Sequence, residues 1–186
     1  MQAYLISDGE FATPRLAELQ KRLTEFLVSR GFTTLEKTIH RDERAFCRGC
    51  FDCWVKTPGE CIMHDGIAEI NKACMSSDVV LYLCPVVFGQ FSANIKFAID
   101  RWLPNMLPYF VVRNDGSTMH SSRYADYPAQ IFVGYGDQLS STEMQLFTDV
   151  SKKYRSNVTV LFDKGNDDLL CAEIDNSPLR RIGGLL

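Results

Sequence analysis

The 186-residue sequence has three histidines, no excess of basic residues and no apolar run long enough to cross a bilayer. Each shortage removes a class of function. His40, His64 and His120 are scattered, and no acid, base or nucleophile constellation gathers around them. A formal charge of −3 argues against a chain that coats nucleic acid or an anionic membrane. The longest uncharged stretch lies between Asp78 and Lys96, but Pro85 and Gly89 interrupt it and Ser92 and Asn94 are polar. It reads as a buried strand followed by a loop rather than a membrane span. The N-terminus has no basic flank and no small-residue cleavage site, so no signal peptide is expected and a cytoplasmic location is. Internal repeats and low-complexity tracts are absent. With 46% apolar and 23% charged residues, the composition is that of an ordinary globular domain, and one domain over residues 1–186 is expected.

Cysteine is what the chain has in plenty. There are seven, an odd number, and four of them form Cys47-x2-Cys50-x2-Cys53-x7-Cys61. In a reducing compartment such crowding points to metal or redox chemistry rather than to structural disulfides. Two-residue gaps let successive thiolates curl around one centre, and four sulfurs suit a tetrahedral zinc ion or an iron–sulfur cluster. Three close cysteines and one distant one favour the cluster. Arg48 and Lys56 would soften the negative charge, and Gly49 and Gly59 permit tight turns. A redox-active Cys-x-x-Cys pair and four reduced thiols packed as small hydrophobes remain open. Cys74 and Cys84 fall on apolar faces and read as core; Cys171 is unassigned.

The remaining pattern alternates strands with helices. Strands are expected at residues 2–6, 33–39, 79–84, 131–135 and 158–162. Thr13 caps a helix with Pro14 at its first position and Leu16, Leu19, Leu23, Phe26 and Leu27 on one face. Asp65 caps a second, carrying Ile67, Ile70 and Cys74. Ser92 opens a third, ended by Pro104, and Ser140-x-x-Glu143 has capping-box spacing before a fourth. Such alternation implies right-handed βαβ units: an α/β, three-layer, flavodoxin-like fold with a five-stranded parallel sheet of order 2-1-3-4-5. Ligands then bind beyond the carboxyl ends of the strands at the switch point, between loops 7–14 and 85–92. Residues 105–128 are too long for a simple link; their aromatics would cover the site or a partner, or anchor a solvated excursion. The polar, then glycine-rich segment 163–186 has no evident role.

Two motifs carry a resemblance. CRGCFDCWVKTPGEC, followed by PVVFGQFSANIKFAIDR, resembles the flavodoxin-like NAD(P)H-dependent FMN reductases, in particular the iron–sulfur flavoproteins, most strongly over residues 46–101. The resemblance implies FMN as cofactor and a possible 4Fe-4S cluster held by Cys47, Cys50, Cys53 and Cys61. Pro85, Val86, Val87, Phe88 and Gly89 would lie along the isoalloxazine ring, with Ser92, Asn94 and Lys96 at the start of the following helix; Arg101 reads as a solvated helix position. Ser7, Gly9 and Thr13 would serve the phosphate at a helix N-terminus, and Tyr135, Gly136 and Asp137 would reach the pyrimidine edge or form an ordinary turn. Relatives usually begin this phosphate loop with Ser-Pro-Arg and end it with Gly-Asn-Thr. Here the loop is about one residue shorter, and Asp8 and Glu10 add charge that opposes a phosphate unless it points away. The implied activity is an FMN-dependent oxidoreductase or electron-transfer flavoprotein, taking electrons from NAD(P)H or another donor and passing them to a small-molecule or protein acceptor. No nucleic acid or membrane partner is expected, and a homodimer or higher homo-oligomer is. The alternative is a flavodoxin-like binding or regulatory protein that has lost FMN, its cysteine loop structural.

Overall fold

The computed structural model describes residues 1–43, 45–154 and 158–177. Five parallel strands form the sheet: β1 (Gln2–Asp8), β2 (Thr33–Ile39), β3 (Val79–Val87), β7 (Ala129–Tyr135) and β8 (Val158–Phe162), in the order β2-β1-β3-β7-β8. This is the expected 2-1-3-4-5 order, the intervening strands lying elsewhere. The central strand β3 is apolar at nearly every position because helices cover both its faces. Period-two alternation divides its side chains. Val79, Leu81 and Leu83 join Leu5, Leu19, Leu23, Leu27 and Ile174 on one side. Val80, Tyr82 and Cys84 join Ile6, Ile70, Ile95, Ile99 and Phe147 on the other.

The helices begin where the sequence marks them. α1 (Pro14–Ser29) is capped by Thr13, whose Oγ1 accepts from Leu16 N at 3.1 Å. α3 (Gly66–Met75) is capped by Asp65, which accepts from Ala68 N. Ser140 and Glu143 exchange capping-box bonds ahead of α5 (Ser141–Tyr154). α4 (Ala93–Asp100) has Ser92 at its N-cap and ends at Asp100, ahead of Pro104.

Four features differ from the sequence expectations. β1 runs on to Asp8, which brings the switch-point carboxylate onto the strand itself. β3 continues past Pro85 and folds back through Phe88 and Gly89 into β4 (Gln90–Phe91). Both turn residues have positive φ, 51° and 72°, the pattern of a two-residue type I′ hairpin. The 105–128 excursion contains a second, two-stranded sheet, β5 (Met106–Val112) against β6 (Thr118–Ser122); Asp115-Gly116 sits in its turn. Finally, part of the segment left without a role forms α6 (Asp167–Asp175), capped by Asn166 and burying Leu170, Cys171 and Ile174. Residues 178–186 of that segment lie outside the described residues. Cys74 and Cys84 are core, as expected, and Cys171 joins them. Among the described residues, no helix is long and apolar enough to cross a membrane.

Candidate functional site

The sheet order sets β1, β3 and β7 side by side, so their carboxyl ends deliver the three expected loops to one edge. Two contacts tie them. The Tyr135 hydroxyl donates to Phe11 O at 3.4 Å, linking the third loop to the first. Asp8 links the first loop to α4: it accepts from Asn94 Nδ2 at 2.7 Å, from the Ser92 hydroxyl and from Glu10 N at 2.9 Å. Asp8 is only 1% exposed. Its charge is therefore turned inward and met by three donors, as a buried carboxylate requires. Asn94 also donates to Ile39 O, closing the network onto β2. Tyr135 is shifted upward by burial, with the Asp8 carboxylate and Cys84 adding to it, so its phenol stays protonated.

The hydroxyls assigned to the flavin by resemblance have partners within the chain. Ser7 Oγ lies 3.0 Å from Thr38 Oγ1, Ser92 donates to Asp8, and Thr13 holds Leu16 N. Arg15, beside Pro14, is tied to Asp163 at 2.7 Å and to Asp167. Gly9 has a reason of its own: a Cβ there would collide with the His40 imidazole. Glu10 is exposed and accepts from Arg41 N. At the hairpin, Val86 and Val87 are half-buried on β3 while Phe88 is 85% exposed. Gly136 and Asp137 are exposed. Set against FMN, this end fits in outline. Three loops converge, the Phe88 ring is exposed, and the Asp8 carboxylate is buried. The Ser92 proton is committed to Asp8, whereas Thr13 Oγ1 accepts from Leu16 N and keeps its own proton for a phosphate.

The second candidate region is the cysteine loop, and α4 connects the two. Cys47, Cys50, Cys53 and Cys61 all line one cavity of about 20 Å³, with Arg48, Phe51 and Arg101. Burial raises the Cys53 thiol, and Cys61, Cys47 and Cys50 push it further; the four sulfurs are within electrostatic reach of one another. Among the described residues no three Cys, His, Asp or Glu side chains stand close enough together to hold a metal ion. The donor set fits a thiolate centre in number and chemistry, all four thiols lining the one cavity. A short helix α2 (Asp52–Val55) shapes the loop, entered through Phe51 at φ 59°. Phe51 stacks on Trp54 at 5.2 Å; Trp54 packs on His120 at 4.8 Å and donates from Nε1 to Met106 O at 2.8 Å. The β5–β6 hairpin thus leans on the cysteine loop. An open cleft of about 400 Å³ lies on the other side of Cys61, lined by His64, Asn71, Lys72, Asn105 and Tyr124.

Arg101 corrects the sequence reading. Read as a solvated helix position, it is 2% exposed. Its guanidinium forms a two-pronged pair with Asp65 at 2.9 and 3.0 Å and donates to Ala45 O at 3.0 Å and Met63 O at 3.2 Å. Burial opposes its charge, but Asp65, with Cys61 alongside, outweighs burial and holds it cationic. Asp65 is lowered for the reciprocal reason: burial raises it, and the Arg101 guanidinium and Ala68 N–H overcome that. Lys96, by contrast, pairs with Asp100 on its own helix and lies 4.8 Å over the Tyr154 ring. The one signal for Arg101 was a cation at the end of an otherwise apolar stripe.

No family model matches the chain. An iron–sulfur flavoprotein of Archaeoglobus fulgidus is 33% identical over 78 residues, 42% of this chain and 34% of that protein. The chain is similar to iron–sulfur flavoproteins. It covers about a third of that relative's length. Among solved structures, the NAD(P)H:quinone oxidoreductase from Methanothermobacter marburgensis superposes with a TM-score of 0.61 at 14% identity, over 98% of this chain and 95% of that one. The FMN-dependent NADH-azoreductase from Bacillus anthracis gives 0.60 at 11% identity, over 99% and 100%. These two likenesses show the flavodoxin-like fold.

Proposed function

We propose that this chain is an FMN-dependent oxidoreductase of the iron–sulfur flavoprotein kind, NAD(P)H serving as its electron donor. The observation that carries the reading is the convergence of Cys47, Cys50, Cys53 and Cys61 on one cavity beside a buried arginine, in a chain similar to iron–sulfur flavoproteins. When bound, FMN supplies hydride acceptance with one- or two-electron release, and a cluster supplies single-electron transfer. The chain's own groups do the holding. The Pro85–Gly89 hairpin and the Tyr135–Asp137 turn border the ring, and the residue 9–13 backbone meets the phosphate. Asp8 keeps the loop in shape through Ser92 and Asn94. The four cysteines hold the cluster. The cleft beside Cys61 admits a small polar acceptor. Self-association belongs to the same reading: Tyr109, Phe110 and Val112 are exposed on an isolated two-stranded sheet, a surface that monomers rarely leave bare.

The test is the visible spectrum of anaerobically purified protein with iron, sulfide and flavin assays. Flavin bands and a broad brown shoulder are expected. Cys50→Ala removes the shoulder and leaves the flavin bands. A colourless protein that contains no iron and takes up no added FMN overturns the reading. Sedimentation that gives a monomer at working concentration removes self-association.

A further inference from the structure

Arg101 does more than its place in a helix requires. It caps the carboxyl end of α4, where a cation complements the helix dipole, and from there it reaches both flanks of the cysteine loop. Ala45 lies two residues before Cys47; Met63 and Asp65 lie two and four after Cys61. One guanidinium therefore closes a segment of some twenty residues whose ends would otherwise carry the entropy of an open loop. Only a planar fork with five donors can do this; a lysine ammonium has three donors on a flexible stem. The fork is not fully used. Arg101 lines the thiol cavity, and its buried Nε has no hydrogen-bond partner. Unpartnered buried donors are rare in folded proteins and call for an explanation. Four cysteine sulfurs share the cavity lining with it, and Cys61 already acts on the guanidinium; sulfur is a weak acceptor as thiol and a strong one as thiolate or sulfide.

We propose that Arg101 is the positioning residue of the thiolate centre: it clamps the loop's two ends and keeps its Nε–H for a sulfur of whatever centre binds there. This rests on the thiolate-centre reading above. Within the chain, the paired Asp65 neutralises the cation. A bound four-thiolate centre adds net negative charge, which the same cation then faces. Outer partners of this kind typically govern about 10–100-fold in metal affinity.

The probe is Co(II) alone, titrated anaerobically into reduced, metal-free protein and read by thiolate-to-cobalt charge-transfer absorption. Wild type, Cys50→Ala, Arg101→Lys and Arg101→Gln are compared, with hydrogen exchange over residues 46–62 measured before metal is added. Expected are thiolate–cobalt bands in wild type, affinity lowered about 10–100-fold in Arg101→Gln, a smaller loss in Arg101→Lys, and faster loop exchange in both. After reconstitution with iron and sulfide, Arg101→Gln should have a more negative midpoint potential than wild type, while Arg101→Lys, which keeps the charge, stays near it. A scaffold role alone would not separate the two variants by potential. Wild type without thiolate–cobalt bands removes the thiolate centre and this proposal together. Bands in wild type with equal affinity and loop exchange in the Arg101 variants overturn the role of Arg101 alone. If Arg101→Gln does not fold by circular dichroism, Arg101→Lys decides by the same readings.

Discussion

The two ends of α4 solve one problem in opposite ways. Each buries one titratable side chain, Asp8 at the amino end and Arg101 at the carboxyl end, 1% and 2% exposed. Both signs suit the helix dipole. The Asp8 carboxylate is finished within the chain: Ser92, Asn94 and Glu10 N supply its donors. Arg101 is paired with Asp65 and two carbonyls, yet one buried N–H has no partner. A completed charge network frames a loop; an incomplete one marks where something else is to be received. That is why the sequence's acidic phosphate loop and its cysteine loop are different cases. In the proposed reading, the first is a fold element beneath the flavin edge, and the second is itself the element that receives a ligand.

The comparison breaks if Asp8 is not held as described. Asn94→Leu removes one donor and leaves a buried carboxylate short of partners, which should cost about 2–3 kcal/mol of stability in urea unfolding. Asp8→Asn keeps an acceptor and removes the charge, so it should cost less, about 1–2 kcal/mol. A loss below 1 kcal/mol for Asn94→Leu means that Asp8 turns outward in solution. At the other end, Asp65→Asn weakens a charge-assisted pair in which Asp65 is partly exposed, for about 2 kcal/mol at pH 7. Its pH dependence has a definite sign. Asp65 is lowered in the folded state, with Arg101 and Ala68 N overcoming burial. Its contribution is therefore present above the unfolded value near about 3.9 and lost as pH falls through the lower folded value. The stability gap between wild type and Asp65→Asn should close below about pH 4; a gap that persists at lower pH rules out the pair as its source.

Local signals explain what was legible. Thr13-Pro14, Asp65 and Ser140-x-x-Glu143 mark helix starts through bonds three residues long, and the VVLYLC run marks a strand covered on both faces. These suffice for the sheet order. α6 was hidden because Leu170, Cys171 and Ile174 make a stripe of three among acids, short for a periodicity argument. The β5–β6 hairpin carried its Asp-Gly turn in plain view, but its strands alternate poorly, both faces of β5 being exposed. The four cysteines of the loop were legible as a set from their spacing alone, and all four line one cavity. Asp8 and Arg101 were not. Their partners lie 84, 86, 56 and 36 residues away, and a charged residue's direction is decided by those partners alone.

A last and smaller effect concerns the two phenylalanines with left-handed backbone, Phe51 at φ 59° and Phe88 at φ 51°. The left-handed region costs a non-glycine residue about 1–2 kcal/mol, so each strain needs a reason. Phe51 has one within the chain: its ring stacks on Trp54 at 5.2 Å, worth about 0.5–1.5 kcal/mol. Phe51→Gly should therefore change stability little, relief and lost stacking offsetting each other. Phe88 projects into solvent at the hairpin tip, in the stretch proposed to border the flavin ring. Phe88→Gly should stabilise the protein by about 0.5–1 kcal/mol, the relief of strain less the entropy of an added glycine. The same substitution should weaken FMN binding in a fluorescence-quenching titration, while Phe51→Gly leaves it unchanged. Equal FMN affinity for both variants would separate the hairpin strain from the flavin and leave the switch-point loop as its remaining contact. A flavin loss confined to Phe88→Gly would mean that strain at 88 is kept for a ligand and strain at 51 for a neighbour, the same division between received and completed contacts that distinguishes Arg101 from Asp8.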